Sequence, residues 1–352
     1  MIRPLLIVGT GRCGSTLVSQ MLDDHPEVTS LSELFTFASD LGNRVPWIFP
    51  AEAIDGEAFW QRMVYHPPRL SLLLRHGLRM PEVTHDFDHG PRRLEDGAPA
   101  LLLTTLPRLG GDPEATFAAL APVMRARGPA PVAAHYHALF EWLMTHHGHR
   151  TWAERSGGSL RLVHRLVAAF PEARVLHLVR DGRDTALSMS RHIGFRMALA
   201  SFQLLELLGV DPWESADRRE AGDLPDELAA LLPECFTAEA FERYDLAPSL
   251  CGHYWSGEIR RGLETLDALP PDRLVTLRYE DFLTDPTAAV ERLGAALDLG
   301  PVPVAWRDRA AAMVRSGRSA WHALPARDRR ELDAACAPGV AALAERGITW
   351  PA

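Results

Sequence analysis

The segment Gly9-Thr10-Gly11-Arg12-Cys13-Gly14-Ser15-Thr16 constrains this chain more than any other. It follows the apolar run Leu5-Leu6-Ile7-Val8, and a short run of that kind ending in glycine predicts a buried parallel strand. After it, Leu17, Val18, Met21 and Leu22 share one face at helical spacing. The helix is expected to stop at His25-Pro26, because proline restricts the residue before it. Val28 to Ser32 then predicts a second strand leading into Glu33. Strand, glycine turn, helix and strand open a βαβ unit. In such a unit the first helix aims its unpaired amides and its dipole at an anion held by the turn.

The same rhythm returns later. Leu160, Val163, Leu166, Val167 and Phe170 predict an amphipathic helix that Pro171 ends. Val175 to Val179 predicts a strand, Arg180-Asp181-Gly182-Arg183 a turn, and a helix starts near Asp184. A helix around Tyr254 to Leu266 leads to a strand at Leu274 to Leu277. Pro286 suits the first turn of a helix carrying Val290, Leu293 and Leu297, and a last helix runs from about Asp328 to Glu345. Residues 40–150 lack this rhythm and read as a largely helical insertion. Residues 194–253 read as a second, irregular segment, aromatic and acidic. The expected architecture is one α/β domain over residues 1–352, with a central, mostly parallel sheet and helices on both faces.

Charge narrows the partners. The chain has a net charge of −9, and an acidic chain is a poor non-specific binder of nucleic acid. Any anion it holds must be held by local geometry. No apolar run approaches the ~20 residues that span a bilayer. The cysteines Cys13, Cys235, Cys251 and Cys336 are scattered, so reduced thiols in a cytoplasmic protein are expected. The pairs and clusters of histidine, His85/His89 and His146, His147 and His149, read as solvated or hydrogen-bonded side chains, and no metal site is expected. The chain has no lysine, so all 37 basic side chains are arginine, which stays charged and forks onto oxyanions.

Three readings of the first loop compete. Gly9, Gly11 and Gly14 meet the dinucleotide fingerprint GxGxxG, with Glu33 as the acid further on. Ser15-Thr16 after the last glycine suits a terminal phosphate better than a passing pyrophosphate. Gly9, Gly14 and Thr16 also meet the nucleoside-triphosphatase pattern, but Ser15 stands where its lysine is needed. The third reading keeps the anion at the helix N-terminus and puts the cation, Arg12, in the turn itself.

On that reading LIVGTGRCGSTLVSQMLDDHP resembles the phosphosulfate loop of sulfotransferases that use 3′-phosphoadenosine 5′-phosphosulfate (PAPS), in the style of the bacterial and tyrosylprotein-type branches. Gly11, Cys13 and Ser15 replace proline, serine and threonine of the usual PRSGTTL. VLHLVRDGRDTALSMSRH resembles the family's 3′-phosphate signature, with Arg180 at the strand end and Ser188 eight positions on. TWAERSGGSL resembles the WGEKTP-like segment, with Arg155 for lysine. RLVTLRYEDFLTDP, with Tyr279, resembles the RYEDL segment, and SGRSAW, with Arg318, the late basic loop over the nucleotide.

The resemblance implies a three-layer P-loop-like fold and a transferase moving a sulfuryl group from PAPS to an acceptor hydroxyl. Adenosine 3′,5′-bisphosphate is the implied product, and no metal is required. It assigns Arg12 to the leaving group and Glu33, by analogy with the tyrosylprotein branch, to the general base. Gly11, Arg12, Cys13, Gly14, Ser15, Thr16, Arg180, Ser188, Tyr279 and Arg318 would bind the nucleotide. Segments 40–150 and 194–253 would wall the acceptor side. Trp47, Phe49, Phe59, Trp60, Phe202 and Trp213 suit a small-molecule or lipid-like alcohol from secondary metabolism, with a peptide tyrosine or a sugar left open. An NAD(P)-dependent oxidoreductase and a non-catalytic nucleotide-binding protein are the alternatives.

Overall fold

A computed structural model describes residues 2–215, 224–315 and 319–350. Five strands form one parallel sheet: β1 (Leu5–Val8), β2 (Val28–Ser32), β3 (Thr151–Arg155), β4 (Arg174–Val179) and β5 (Leu274–Arg278). Their order across the sheet is β2-β3-β1-β4-β5. Four of these strands, β1, β2, β4 and β5, fall on the segments that the sequence predicts as strands. β3 does not, because Glu154 and Arg155 make it look like an exposed segment. It is nevertheless buried along its whole length, between β2 and β1.

The alternation of side chains divides the core into two layers. Leu5, Ile7, Leu176 and Leu178 face helix α1 (Ser15–Asp23) and the helices Pro286–Ala296 and Val304–Ala312. Leu6, Val8, Val175 and Val179 face the other layer. That layer holds α2 (Leu34–Ala38) and the helices Val132–His146, Val163–Ala169, Gly182–Ser190, Pro248–Leu266 and Ala326–Ala344. The order of the sheet brings the carboxyl ends of β1, β2, β3 and β4 to one edge, where ligands bind in open α/β sheets.

The segment 40–150 is largely helical, with helices Gly56–Val64, Pro68–Arg75, Pro113–Arg125 and Val132–His146. The second segment departs from expectation. Ile193–Leu208 is a regular helix, capped by the His192 side chain and ended by Gly209 at φ 76°. Pro248–Leu266 starts six residues earlier than the sequence suggested, with its proline in the first turn.

The two segments are joined by a buried charge cluster. Arg69 donates to Asp40 at 2.6 Å, to Asp211 at 2.5 Å and to Ser201 at 3.0 Å, and its guanidinium stacks on Trp213. Arg69 and Asp40 are both out of water, so each needs the other. The cluster fixes helix Ile193–Leu208 against the start of the first insertion.

Candidate active site

The loop between β1 and α1 is built from backbone that ordinary residues avoid. Gly11, Arg12 and Gly14 all lie in the left-handed region, at φ 79°, 55° and 92°. A Cβ on Gly11 would sit 2.4 Å from the Phe195 ring, and one on Gly14 would sit 2.2 Å from the Tyr279 ring. Both positions therefore need glycine twice over, for conformation and for space. The N-cap residue Gly14 makes no side-chain cap to α1, whose first-turn amides have no intrahelical partners. Ser15 and Thr16 line the adjoining cleft. Cys13 does not: its Sγ is turned under the loop, and burial pushes its thiol above the ordinary value. It fills space, and the structure gives no support to a reactive thiol there.

Arg12 stands where two clefts meet. One, of about 810 Å³, is lined by Arg12, Arg180, Asp184, Ser188, Arg191 and His192, among others. Arg180 donates to the Arg12 carbonyl oxygen at 3.2 Å and stacks on Tyr279 at 4.9 Å. Arg180 and Arg191 have no carboxylate partner among the described residues. The other cleft, of about 760 Å³, is lined by Arg12, Glu33, Phe35, Phe195, Phe202 and Tyr254, among others. Segment 40–150 brings Leu41, Met80 and Glu82 to this cleft, and helix Ile193–Leu208 brings Phe195, Ala198, Leu199 and Phe202.

The Arg12 side chain is pinned between the two. Its Nε donates to Ser188 Oγ at 3.2 Å and its Nη1 to Glu82 Oε1 at 3.1 Å. Glu82 also meets His192 Nε2 at 3.0 Å. Burial works to raise the Glu82 carboxyl, but the His192 hydrogen bond and the charges of His192 and Arg12 outweigh it and hold it below its ordinary value. Glu82 is thus an anion that the protein itself supplies to Arg12.

Glu33 follows β2 directly and is buried. Its backbone is also left-handed, at φ 59° and ψ 16°. An acidic side chain in that conformation is held by its surroundings. Glu33 N–H donates to the Arg155 carbonyl oxygen at 2.8 Å. The Glu33 carboxylate accepts from Gly157 N–H at 2.8 Å, from Thr36 Oγ1 at 2.6 Å, and from the Arg155 guanidinium. Three donors leave one of its roughly four acceptor directions open. Arg155 is fully buried, donates to Ser19 Oγ at 2.6 Å, and is brought down to about 10 by burial.

The residues singled out in the sequence thus divide. Gly11, Arg12, Ser15, Thr16 and Glu33 line the apolar cleft; Arg12, Arg180 and Ser188 line the cationic one. Gly14 and Tyr279 pack on each other behind the loop, and Tyr279 borders neither cleft. Arg318 lies outside the described residues. Arg155 reaches the site as the partner of Glu33. Glu82, Arg161, Arg191, His192 and Tyr254 were not singled out as site residues. His192 carried one signal, a cap position before an apolar helix that ends in glycine.

The strand order decides against a dinucleotide fold. In that fold the acid that binds ribose ends the strand beside the glycine loop. Here β3 lies between β1 and β2, and Arg155 at its end engages Glu33. The sequence comparison agrees. A profile of the sulfotransferase family matches residues 4–69, 113–242 and 228–302, well over half of the chain. The chain belongs to the sulfotransferase family. No curated protein matches it in sequence.

Solved structures similar to this sulfotransferase include the sulfotransferase domain from the curacin biosynthetic pathway. That match has 13% identity and a TM-score of 0.49, covering 100% of this chain and 99% of that one. The sulfotransferase domain of the Synechococcus PCC 7002 olefin synthase has 15% identity and a TM-score of 0.48, with 100% and 98% covered. A sulfotransferase from Alicyclobacillus acidocaldarius has 18% identity and a TM-score of 0.42, with 98% and 96% covered. Among the described residues no helix is long and apolar enough to cross a membrane, and no group of His, Cys, Asp and Glu is arranged to hold a metal ion.

Proposed function

We propose that this sulfotransferase takes its sulfuryl group from PAPS and passes it to the hydroxyl of a small or lipid-like molecule. The observation that carries this reading is the position of Arg12, at the junction of a cationic cleft and an apolar one that contains a carboxylate. The residues fit the donor. Arg180, Arg191 and Ser188 line one cleft, and neither arginine is paired with a carboxylate among the described residues, Asp184 of the same lining accepting instead from the Ala320 and Trp321 amides, which suits a phosphate. The uncapped amides of α1 with Ser15 and Thr16 suit a second anion one loop away. PAPS when bound supplies the transferable sulfuryl group and an oxyanion leaving group.

The residues of the chain do the rest. Arg12 and the α1 amides hold negative charge at the loop, where it grows during in-line transfer. Glu33 takes the proton of the acceptor hydroxyl through its open acceptor direction, while Arg155, Thr36 and Gly157 fix its orientation. Helical segments 40–150 and 194–253 form the acceptor side and exclude water from it. Metal is not needed, because arginine and backbone donors supply the positive field.

Adenosine 3′,5′-bisphosphate at about 100 times its Kd should stabilise the protein by ~2.7 kcal/mol. With an unfolding entropy of about 2.1 cal/mol/K per residue over 352 residues, that raises Tm by about 3–4 °C. NAD(P) should give no shift. Labelled PAPS should transfer its sulfur to a member of an alcohol and phenol panel, and Arg12→Ala should abolish that transfer. No shift with millimolar nucleotide would sink the reading.

A further inference from the structure

Arg161 lies on the wall of the apolar cleft, in the turn Ser159–Leu162 that follows β3. It is half-buried, and its guanidinium stacks on the Phe202 ring at 4.7 Å. It passes over Gly42, where a Cβ would come within 2.7 Å of its Nη1. Among the described residues it has no hydrogen-bond acceptor and no carboxylate partner. The other two arginines of this cleft are paired, Arg12 with Glu82 and Arg155 with Glu33. A half-buried guanidinium in an acidic protein, with one face on an aromatic ring and its N–H edge open to a cleft, is built to meet an anion that the protein does not supply.

The distance of that cation from the reaction centre is set by one helix. Phe195 lies against Gly11 of the phosphate loop and Tyr254 stands beside it, with ring centroids 6.2 Å apart. Phe202 is seven residues further along the same helix, Ile193–Leu208, and carries Arg161. Seven residues of α-helix advance about 10.5 Å. Ala198 and Leu199 line the cleft between them. The wall therefore runs from Phe195 at the loop, over apolar side chains, to Phe202, about 10 Å along the helix axis, with the cation stacked on it.

We propose that the acceptor is a hydroxylated organic acid. Its hydroxyl lies at Glu33 and Arg12, its apolar body along Phe195 and Leu199, and its carboxylate on Arg161. This rests on the sulfotransferase reading for the hydroxyl end only; anion capture by Arg161 can be measured without any transfer.

The test is calorimetric binding of three acids, each beside its primary amide: para-hydroxyphenylpropionate, ω-hydroxyoctanoate and ω-hydroxydodecanoate. Each is titrated with and without adenosine 3′,5′-bisphosphate, into the unaltered protein, Arg161→Gln and Arg161→Lys, with thermal melting as the check on folding. At least one acid is expected to bind about tenfold tighter than its amide. That preference should fall to within about twofold in Arg161→Gln and return in part in Arg161→Lys. Absence of an acid preference in all three pairs overturns the proposal, and so does a preference that survives intact in Arg161→Gln. A nucleotide shift without acid preference removes this inference and leaves the PAPS reading standing. Acid preference without any nucleotide shift does the reverse.

Discussion

Glu33→Gln separates the structural role of Glu33 from the base role proposed for it. Three donors converge on Glu33: the Arg155 guanidinium on Oε1, and Thr36 Oγ1 and Gly157 N–H on Oε2. A glutamine has one acceptor oxygen, and its amide N–H₂ must face either Arg155 or Gly157. Either choice sets donor against donor at a buried position. It also removes the carboxylate paired with Arg155, which is 2% exposed, and leaves it the charge of Asp23. Removing one member of a buried ion pair costs about 3–5 kcal/mol. At about 2.1 cal/mol/K per residue over 352 residues, Tm should fall by about 4–7 °C.

Turnover should fall independently, by about 10²–10⁴ for loss of a positioned base. Affinity for adenosine 3′,5′-bisphosphate should hold within about threefold, since Glu33 does not border the cationic cleft. The decisive variant is Glu33→Gln with Arg155→Met. It removes both charges, so calorimetry should show most of the lost stability restored. Transfer from labelled PAPS, measured well below Tm with the best acceptor of a phenol and alkanol panel, should stay low. If the double variant regains turnover along with stability, Glu33 acts only as the anchor of Arg155. Near-normal turnover in the single variant places the base elsewhere.

Two further perturbations test the scaffold. Arg69→Met should cost about 3–5 kcal/mol, because Asp40 stays buried without its cation. Burial already raises the Asp40 carboxyl against Arg69, and removing Arg69 raises it further. A raised acid loses stability as pH climbs, so the deficit measured by denaturant melts should be larger at pH 8 than at pH 5. Glu154 is buried beneath the sheet, accepts from Ser156 at 2.6 Å, and is pushed up to about 8 by burial. Its contribution is whole below its ordinary value of 4.5 and declines by ~1.4 kcal/mol per pH unit as pH rises toward about 8. Glu154→Gln keeps an acceptor for Ser156 and removes that slope, so the variant should gain on the unaltered protein from pH 5 to pH 8. Parallel pH profiles would show that Glu154 does not titrate in this range.

What the sequence made legible follows from which signals are local. β1, β4 and β5 are largely apolar and β2 follows the proline stop of the first helix, and the glycine turn announces itself by residues that only a left-handed backbone and a close Phe195 or Tyr279 require. β3 was not legible, since its Glu154 and Arg155 are residue types that are buried only when paired or neutralised. Helix Ile193–Leu208 was missed although Met197, Leu204 and Leu208 recur on one face and Gly209 ends it. Strand order is a non-local property. Glu33 and the loop residues Gly11 and Arg12 line one cleft although β3 separates their strands, and β3 brings Arg155 to it as the partner of Glu33. Glu82 sits in an insertion without periodicity, and nothing local distinguishes it from a surface acid until Arg12 and His192 are seen on it.

The distribution of paired and unpaired arginine carries the synthesis. With no lysine, every cation here is a fork that seeks an oxyanion. In the interior each fork has its carboxylate: Arg69 has Asp40, and Arg155 has Glu33. At the clefts Arg180 and Arg191 on one side and Arg161 on the other have no carboxylate partner among the described residues, and the proposed anion sites rest on that observation. Arg12 is intermediate. Its partner Glu82 is itself shared with His192, on the cap of the helix that carries Phe195 and Phe202. Glu82 thus links Arg12 of the loop to His192 at the start of that helix. The Arg12–Glu82–His192 chain therefore ties the glycine turn to the helix that carries Phe195 and Phe202.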